Sequence, residues 1–167
     1  MIRTILVVLL VALFLIFTTP FRFILTKING NSTKTELLLL HMAQRIFKAV
    51  LFLSGTEVII KGRENIPDDT AVLYVSNHRG FFDIVVGYCQ VKGTCSFIAK
   101  KELETIPLLS SYMTALHCLF LDRENSREGL KTILAAIDLA KMVILFGFVQ
   151  KVHAAKQKRC YHFMKVA

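Results

Sequence analysis

Ile2 to Phe17 is apolar at every position except Arg3 and Thr4, and Pro20-Phe21-Arg22-Phe23-Ile24-Leu25 prolongs the run. An apolar stretch on this scale predicts a membrane-anchoring helix, just long enough to span. Thr18-Thr19-Pro20-Phe21 stands where a signal peptide would carry small residues for cleavage, so a retained anchor is expected. Pro20 and Arg22 also suit a helix that enters and then bends along the interface, and the pattern leaves both arrangements open. Asn29-Gly30-Asn31-Ser32 predicts a turn. Thr33 and Glu36 then stand at capping-box spacing and open a helix running to about Ser54. His41, Gln44, Arg45 and Lys48 share one face of it, while Leu38, Leu39, Met42, Ile46 and Leu53 cover the rest. That division suits an interfacial helix whose cationic stripe meets anionic lipid headgroups. A helix packed on a domain with a solvated polar edge gives the same pattern.

Beyond Ser54, short apolar runs alternate with helical patterns. Thr56 to Lys61 predicts a strand, and Gly62 to Thr70 a turn-rich connection. Ala71 to Val75 is apolar without alternation, as in a strand covered on both faces. Phe82 to Gln90 predicts a short helix, Ser96 to Ala99 a strand, and Glu102 to Leu116 a helix bent early at Pro107. Cys118 to Leu121 is the next strand. Asn125 and Glu128 have cap spacing for a helix to about Met142, with Leu130, Ile133, Leu134 and Ile137 on its inner face. Val143 to Phe146 adds one more candidate strand. The class expected is α/β: N-terminal membrane helices followed by an α/β sandwich around a mainly parallel sheet. The division expected is an anchor and interfacial helix over 1–54, the α/β domain over 55–146, and a basic tail over 147–167.

Composition sharpens this in three ways. A 54% hydrophobic content and a mean hydropathy of +0.53 are high for a soluble chain of 167 residues and point to membrane contact. Of the 21 Lys and Arg residues, six lie from Lys141 onward, where there is no Asp or Glu; the remainder carries 15 basic and 12 acidic residues. The net charge of +9 is therefore mostly a property of the tail, and no nucleic-acid partner is expected from it. Cys89, Cys95, Cys118 and Cys160 show no Cys-x-x-Cys spacing, which suggests no zinc site, and three of them stand in apolar surroundings, as suits small buried thiols in a reducing compartment.

The chemistry concentrates in Asn77-His78-Arg79-Gly80-Phe81-Phe82-Asp83. A histidine and an aspartate five apart do not share a helical face, so they meet only with His78 in a loop and Asp83 in the first turn of a following helix. There the helix dipole keeps the carboxylate ionised, and the carboxylate can orient the imidazole. On spacing alone, a polar-loop histidine and a helix-capping aspartate fit equally well.

Taken with Lys61-Gly62-Arg63-Glu64-Asn65-Ile66-Pro67 upstream, and with Phe97-Ile98-Ala99-Lys100-Lys101-Glu102-Leu103, Ile106-Pro107 and Leu119-Phe120-Leu121-Asp122-Arg123 downstream, this corner resembles the 1-acylglycerol-3-phosphate acyltransferases, glycerolipid enzymes of phospholipid biosynthesis. The resemblance implies acyl transfer from acyl-CoA or acyl carrier protein to the sn-2 hydroxyl of lysophosphatidic acid. It implies a catalytic domain on the cytoplasmic side of the cell membrane, and no cofactor or metal beyond the acyl co-substrate. His78 would be the general base, its imidazole near an unperturbed pKa of about 6.5, and Asp83 its orienting partner. The lipid hydroxyl would attack directly, without an acyl-enzyme. The N–H groups around Arg79 and Gly80 would face the oxyanion. Arg123 matches the arginine that holds the acceptor's phosphate, and Lys100 the nearby lysine, with Lys101 as its neighbour and rival. A surface Arg123 paired with Asp122 or Glu124 is the plain alternative. The acyl chain would enter from a groove near the membrane helices.

The resemblance stops at about Lys141. The family continues with Asn-Gly-Tyr-Ser, a strand and Pro-Glu-Gly-Thr-Arg, where this chain has Lys141-Met142-Val143 and then Gln150-Lys151-Val152-His153-Ala154-Ala155. Loss of one A from codons for Ala-Lys-Asn-Gly yields Ala140-Lys141-Met142-Val143, and the displaced frame over Val149 to Ala155 is compatible with the missing motif. A frameshift is therefore expected, leaving the domain incomplete at its C-terminus and its activity weak or absent. A divergent basic tail on anionic lipid, through Lys151, Lys156, Lys158, Arg159 and Lys165, is the other explanation. Two further functional readings stand beside the enzyme: a catalytically inactive membrane-surface binding module, and a metal-dependent hydrolase using His78, Asp83 and, as the one further candidate ligand, His117.

Overall fold

The computed structural model describes residues 1–30, 32–65, 73–77, 80–91, 93–140, 144–149 and 164–165. Two long helices open the chain, α1 over Ile2–Asn29 and α2 over Thr33–Ser54. Both are long and apolar enough to cross a membrane, by length and composition. Most of α1 faces outward, with Ile5, Leu9, Leu13, Ile16 and Phe17 all exposed. Ser32, rather than Thr33, caps α2, its hydroxyl accepting from Thr35 N–H at 3.4 Å. Glu36 does not reach back as a capping box requires, because its carboxylate meets His117 Nε2 at 2.9 Å.

The inner face of α2 belongs to the domain core. Leu39, Leu40, Ala43 and Val50 are buried, and the first three cluster with Tyr88, Phe97, Tyr112, Leu116 and Cys118. Tyr112 donates its hydroxyl to Leu39 O at 2.7 Å. His41, Arg45 and Lys48 are exposed as a stripe, but Gln44 departs from the polar face expected for it. Its Nε2 donates to the carbonyls of Tyr88 and Val91 at 2.9 and 2.8 Å, ending the helix that carries them. An amide can satisfy two orphan carbonyls there, which the cationic neighbours of Gln44 do not share.

The sheet has strands β1 (Leu73–Asn77), β2 (Cys95–Lys100), β3 (Leu119–Leu121), β4 (Ile144–Val149) and β5 (Met164–Lys165), in the order β3-β2-β4-β1-β5. The first four are mutually parallel, and β5 runs antiparallel on the outer edge of β1. Helices α3 (Phe81–Gln90), α4 (Pro107–Ala115) and α5 (Ser126–Leu139) connect the parallel strands, as such strands require. The strand expected over Thr56–Lys61 does not form. A strand needs an open edge, and on β1 one edge is taken along its whole length by β4 while Tyr74 and Val75 on the other pair with β5. The helix expected over Glu102–Leu116 is split into a 3-10 turn, Lys101–Thr105, and α4. Pro107 takes the first helical position, and the residue before a proline is driven out of the helical region, as the φ of −97° and ψ of 99° at Ile106 show.

Helix α5 begins at its expected cap, Asn125 Oδ1 accepting from Arg127 and Glu128 N–H. Its orientation differs from the one expected. Leu130, Ile133, Leu134 and Ile137 are 40–60% exposed, while Gly129 and Ala136 are buried. The face carrying positions 129, 132 and 136 turns to the sheet, because Gly129 lets the backbones approach and Thr132 Oγ1 donates to Phe120 O at 3.2 Å. A Cβ at Gly129 would lie 2.8 Å from Asp122 O. Gly129→Ala should therefore destabilise: the helix-propensity gain of about 0.5–1 kcal/mol is outweighed by an overpacking cost of about 1–3 kcal/mol. A lowered urea midpoint at unchanged slope would register it; a raised one would show that the two backbones can separate freely.

Candidate active site

Parallel strands put all their C-terminal ends on one edge, where open α/β sheets hold ligands. Asn77, Lys100 and Leu121 end β1, β2 and β3 on that edge. His78 and Arg79, which follow β1, lie outside the described residues. The chain resumes at Gly80, and Asp83 sits in the first turn of α3, where the spacing placed it. Its Oδ2 accepts from Gly80 N–H at 2.9 Å. The amide expected to face an oxyanion at Gly80 is thus engaged by Asp83, and the bond fixes the carboxylate at the start of the helix dipole.

Two strands away, the pairing of Lys100 with Leu121 sorts the charged residues. Lys101 Nζ donates to Asp122 Oδ2 at 2.8 Å, and Asp122 Oδ1 accepts from the backbone N–H groups of Glu124 and Asn125 at 2.9 and 3.0 Å. The Lys101 bond, then these two N–H donors, hold the Asp122 carboxyl below the ordinary carboxylate value. Lys101 is accordingly tied down. Lys100 bonds Glu102, and Arg123, two residues beyond the partner of Lys100, acts on the same carboxylate through its charge. Arg123 is exposed and makes no ion pair among the described residues, and Asp122 is committed to Lys101. Lys100 is thus paired with Glu102, near the charge of Arg123, and Lys101 with Asp122. At about 4.8 Å per strand, β2 and β3 lie about 10 and 14 Å from β1 along the edge.

A groove of about 670 Å³ opens between α1, α2 and the start of α3. Thr4, Val7, Val8, Val11, Ala12 and Leu15 form its α1 wall, a stripe at helical spacing. Because Gln44 binds the C-terminal end of α3, that helix runs back along α2, and its first residues, Phe81 and Phe82, meet Val50, Ser54 and Thr56. Arg3 and the hydroxyl-bearing Thr4, Ser54 and Thr56 share this end with the two rings, so the mouth of the groove adjoins the corner that holds Asp83. Gly55 ends α2 at a φ of 72°, and Arg3 Nη1 lies 2.5 Å from where its Cβ would stand, so a side chain there would push the guanidinium aside. A groove near the membrane helices was expected, but its lining and Arg3 were not identified in the sequence, although the smaller Thr, Val and Ala at α1 positions 4, 7, 8, 11 and 12 distinguish that face from the larger Leu, Ile and Phe of the outer one.

Two apolar helices long enough to cross a membrane, joined to an α/β domain with a mainly parallel sheet and a carboxylate at a helix start, make up the described architecture. The chain belongs to the Acyltransferase family, whose profile matches residues 57–147. It is 34% identical over 89 residues to a probable 1-acyl-sn-glycerol-3-phosphate acyltransferase of Mycoplasma pneumoniae, covering 50% of this chain and 33% of the relative. Over 101 residues it is 28% identical to the 1-acyl-sn-glycerol-3-phosphate acyltransferase of Bacillus subtilis, covering 59% and 50%. The crystal structure of the 1-acyl-sn-glycerophosphate acyltransferase PlsC from Thermotoga maritima matches with a TM-score of 0.73 at 25% identity, over 88% of this chain and 58% of that one. The chain spans a third to a half of the length of these curated relatives.

Proposed function

We propose that this protein transfers an acyl group from acyl-CoA or acyl carrier protein to the sn-2 hydroxyl of lysophosphatidic acid at the cytoplasmic face of the cell membrane. The observation that carries the reading is the placement of Asp83, Lys100 and Arg123 on one edge of a parallel sheet. His78 takes the hydroxyl proton, Asp83 orients and stabilises the imidazolium, and the alcohol oxygen attacks the thioester carbonyl. The thiol leaves with the proton that His78 returns. Arg79 N–H serves the oxyanion; Gly80 N–H serves it once Asp83 turns from it toward the imidazole. Lys100 and Arg123 hold the phosphate, and their side chains reach back across the strand spacing toward the reacting hydroxyl. The donor's chain lies in the groove between α1 and α2. Turnover is expected to be slow, because residues 141–155 lack the Pro-Glu-Gly-Thr-Arg motif whose arginine the resemblance assigns to the same phosphate.

The test is turnover of lysophosphatidate by membranes carrying the chain, with either donor. Arg123→Ala should raise KM for lysophosphatidate by about tenfold to a hundredfold, the worth of a charged hydrogen bond, with kcat little changed. An unchanged KM would move the phosphate elsewhere. Lipid binding without turnover, indifferent to His78→Ala, would make the chain a membrane-surface module instead.

A further inference from the structure

Glu102 is an unexpected partner of Lys100 at the sheet edge. Its carboxylate takes the Lys100 ammonium, accepts its own backbone N–H and feels the Arg123 guanidinium, and together these hold the carboxyl below its ordinary value, Lys100 foremost. Lys101 contributes nothing there, since Asp122 has it. Both members of the Lys100–Glu102 pair are about 60% exposed, so the contact is easily exchanged for another anion. An ammonium, a guanidinium and a backbone N–H around one oxyanion are also what a phosphate selects.

We propose that Glu102 is a built-in competitor for the acceptor's phosphate, its carboxylate resting on Lys100 until a phosphomonoester displaces it. The inference rests on the acyltransferase reading for its substrate, but the anion exchange itself does not need turnover. Displacement trades one negative charge for nearly two, because the second ionisation of a phosphomonoester lies near pH 6. Glu102 therefore raises the phosphate concentration needed to fill the subsite, and it does so as a competitor that touches no reacting atom.

Glu102→Gln keeps the shape and removes the charge at an exposed position, so the variant should fold. It should lower KM for lysophosphatidate about twofold to fivefold, the range of an exposed ion pair, at unchanged kcat. Competitive inhibition by inorganic phosphate should tighten by the same factor, and the preference for lysophosphatidate over lysophosphatidylglycerol should not narrow, since a competitor weakens every displacing anion alike. An unchanged or raised KM together with unchanged phosphate inhibition overturns the inference. If neither protein turns over lysophosphatidate, the acyltransferase reading fails, and calorimetric titration of the detergent-solubilised protein with inorganic phosphate becomes the readout. Tighter phosphate binding by Glu102→Gln than by the wild-type chain then sustains the competitor role, and equal or weaker binding overturns it.

Discussion

His78→Ala should lower kcat by about 10²–10⁴-fold, the usual contribution of a positioned general base, while KM for lysophosphatidate stays within a fewfold of its starting value. On the proposed reading the acceptor is held through its phosphate by Lys100 and Arg123, which come from elements other than the His78 corner, so losing the base should not release it. Asp83→Asn is the more searching variant. Asp83 accepts the Gly80 N–H at the start of α3, and an asparagine carbonyl can keep that bond while the charge is lost. If Asp83 only caps the helix, Asn should leave kcat nearly intact. If it also supports the imidazolium, kcat should fall about a hundredfold or more, with the thermal midpoint changed by only a few degrees. Retention of more than half of the wild-type kcat in His78→Ala would remove proton transfer at this corner from the mechanism.

Much of the architecture was legible because it is locally determined. The apolar length of α1, the extent of α2, the strands after it and the cap at Asn125 each follow from residues within a turn or two. What failed depended on distant partners. Thr56 to Lys61 has a strand's composition but finds β1 paired on both sides, by β4 from late in the chain and by β5 from its end. The α5 pattern put its leucines and isoleucines inward, yet a glycine contact and a threonine hydroxyl decide the helix face against β3. The site divides the same way. Asp83 at a helix start could be placed from its spacing, whereas the separate pairings of Lys100 with Glu102 and of Lys101 with Asp122 depend on chain neighbours and on the register between β2 and β3. In the sequence Glu102 is one acidic residue in a charged turn, and only the structure sets it against Lys100.

Helix α2 joins the N-terminal helix to the core of the α/β domain. One face of it completes the domain core through Leu39, Leu40 and Ala43, and the opposite face exposes His41, Arg45 and Lys48. Its last turns, with Val50, Ser54 and the Gly55 cap, build the groove mouth beside Phe81 and Phe82. The hairpin is thus more than a tether: removing it would open the core at Tyr88, Phe97 and Tyr112 and erase the groove wall.

The groove makes the second large prediction. From Arg3 at its mouth to Leu15 the α1 wall spans twelve residues, about 18 Å at 1.5 Å per residue, the scale of a long fatty acyl chain. With the thioester at the His78–Asp83 corner, the terminal methylenes of a long chain would lie near Ala12 and Leu15. Ala12→Phe would fill that far end with a ring while leaving the mouth unchanged. Excluding about four methylenes from an apolar groove, at about 0.8 kcal/mol each, forfeits about 3 kcal/mol, roughly a hundredfold in kcat/KM. A donor too short to reach the ring should lose less than about threefold, so the profile of rate against chain length should contract from its long end. Leu13→Phe supplies the control, since Leu13 is 43% exposed and does not line the groove. A uniform loss across all chain lengths in Ala12→Phe would instead indicate a displaced helix, and an unchanged profile would put the acyl chain outside the hairpin altogether.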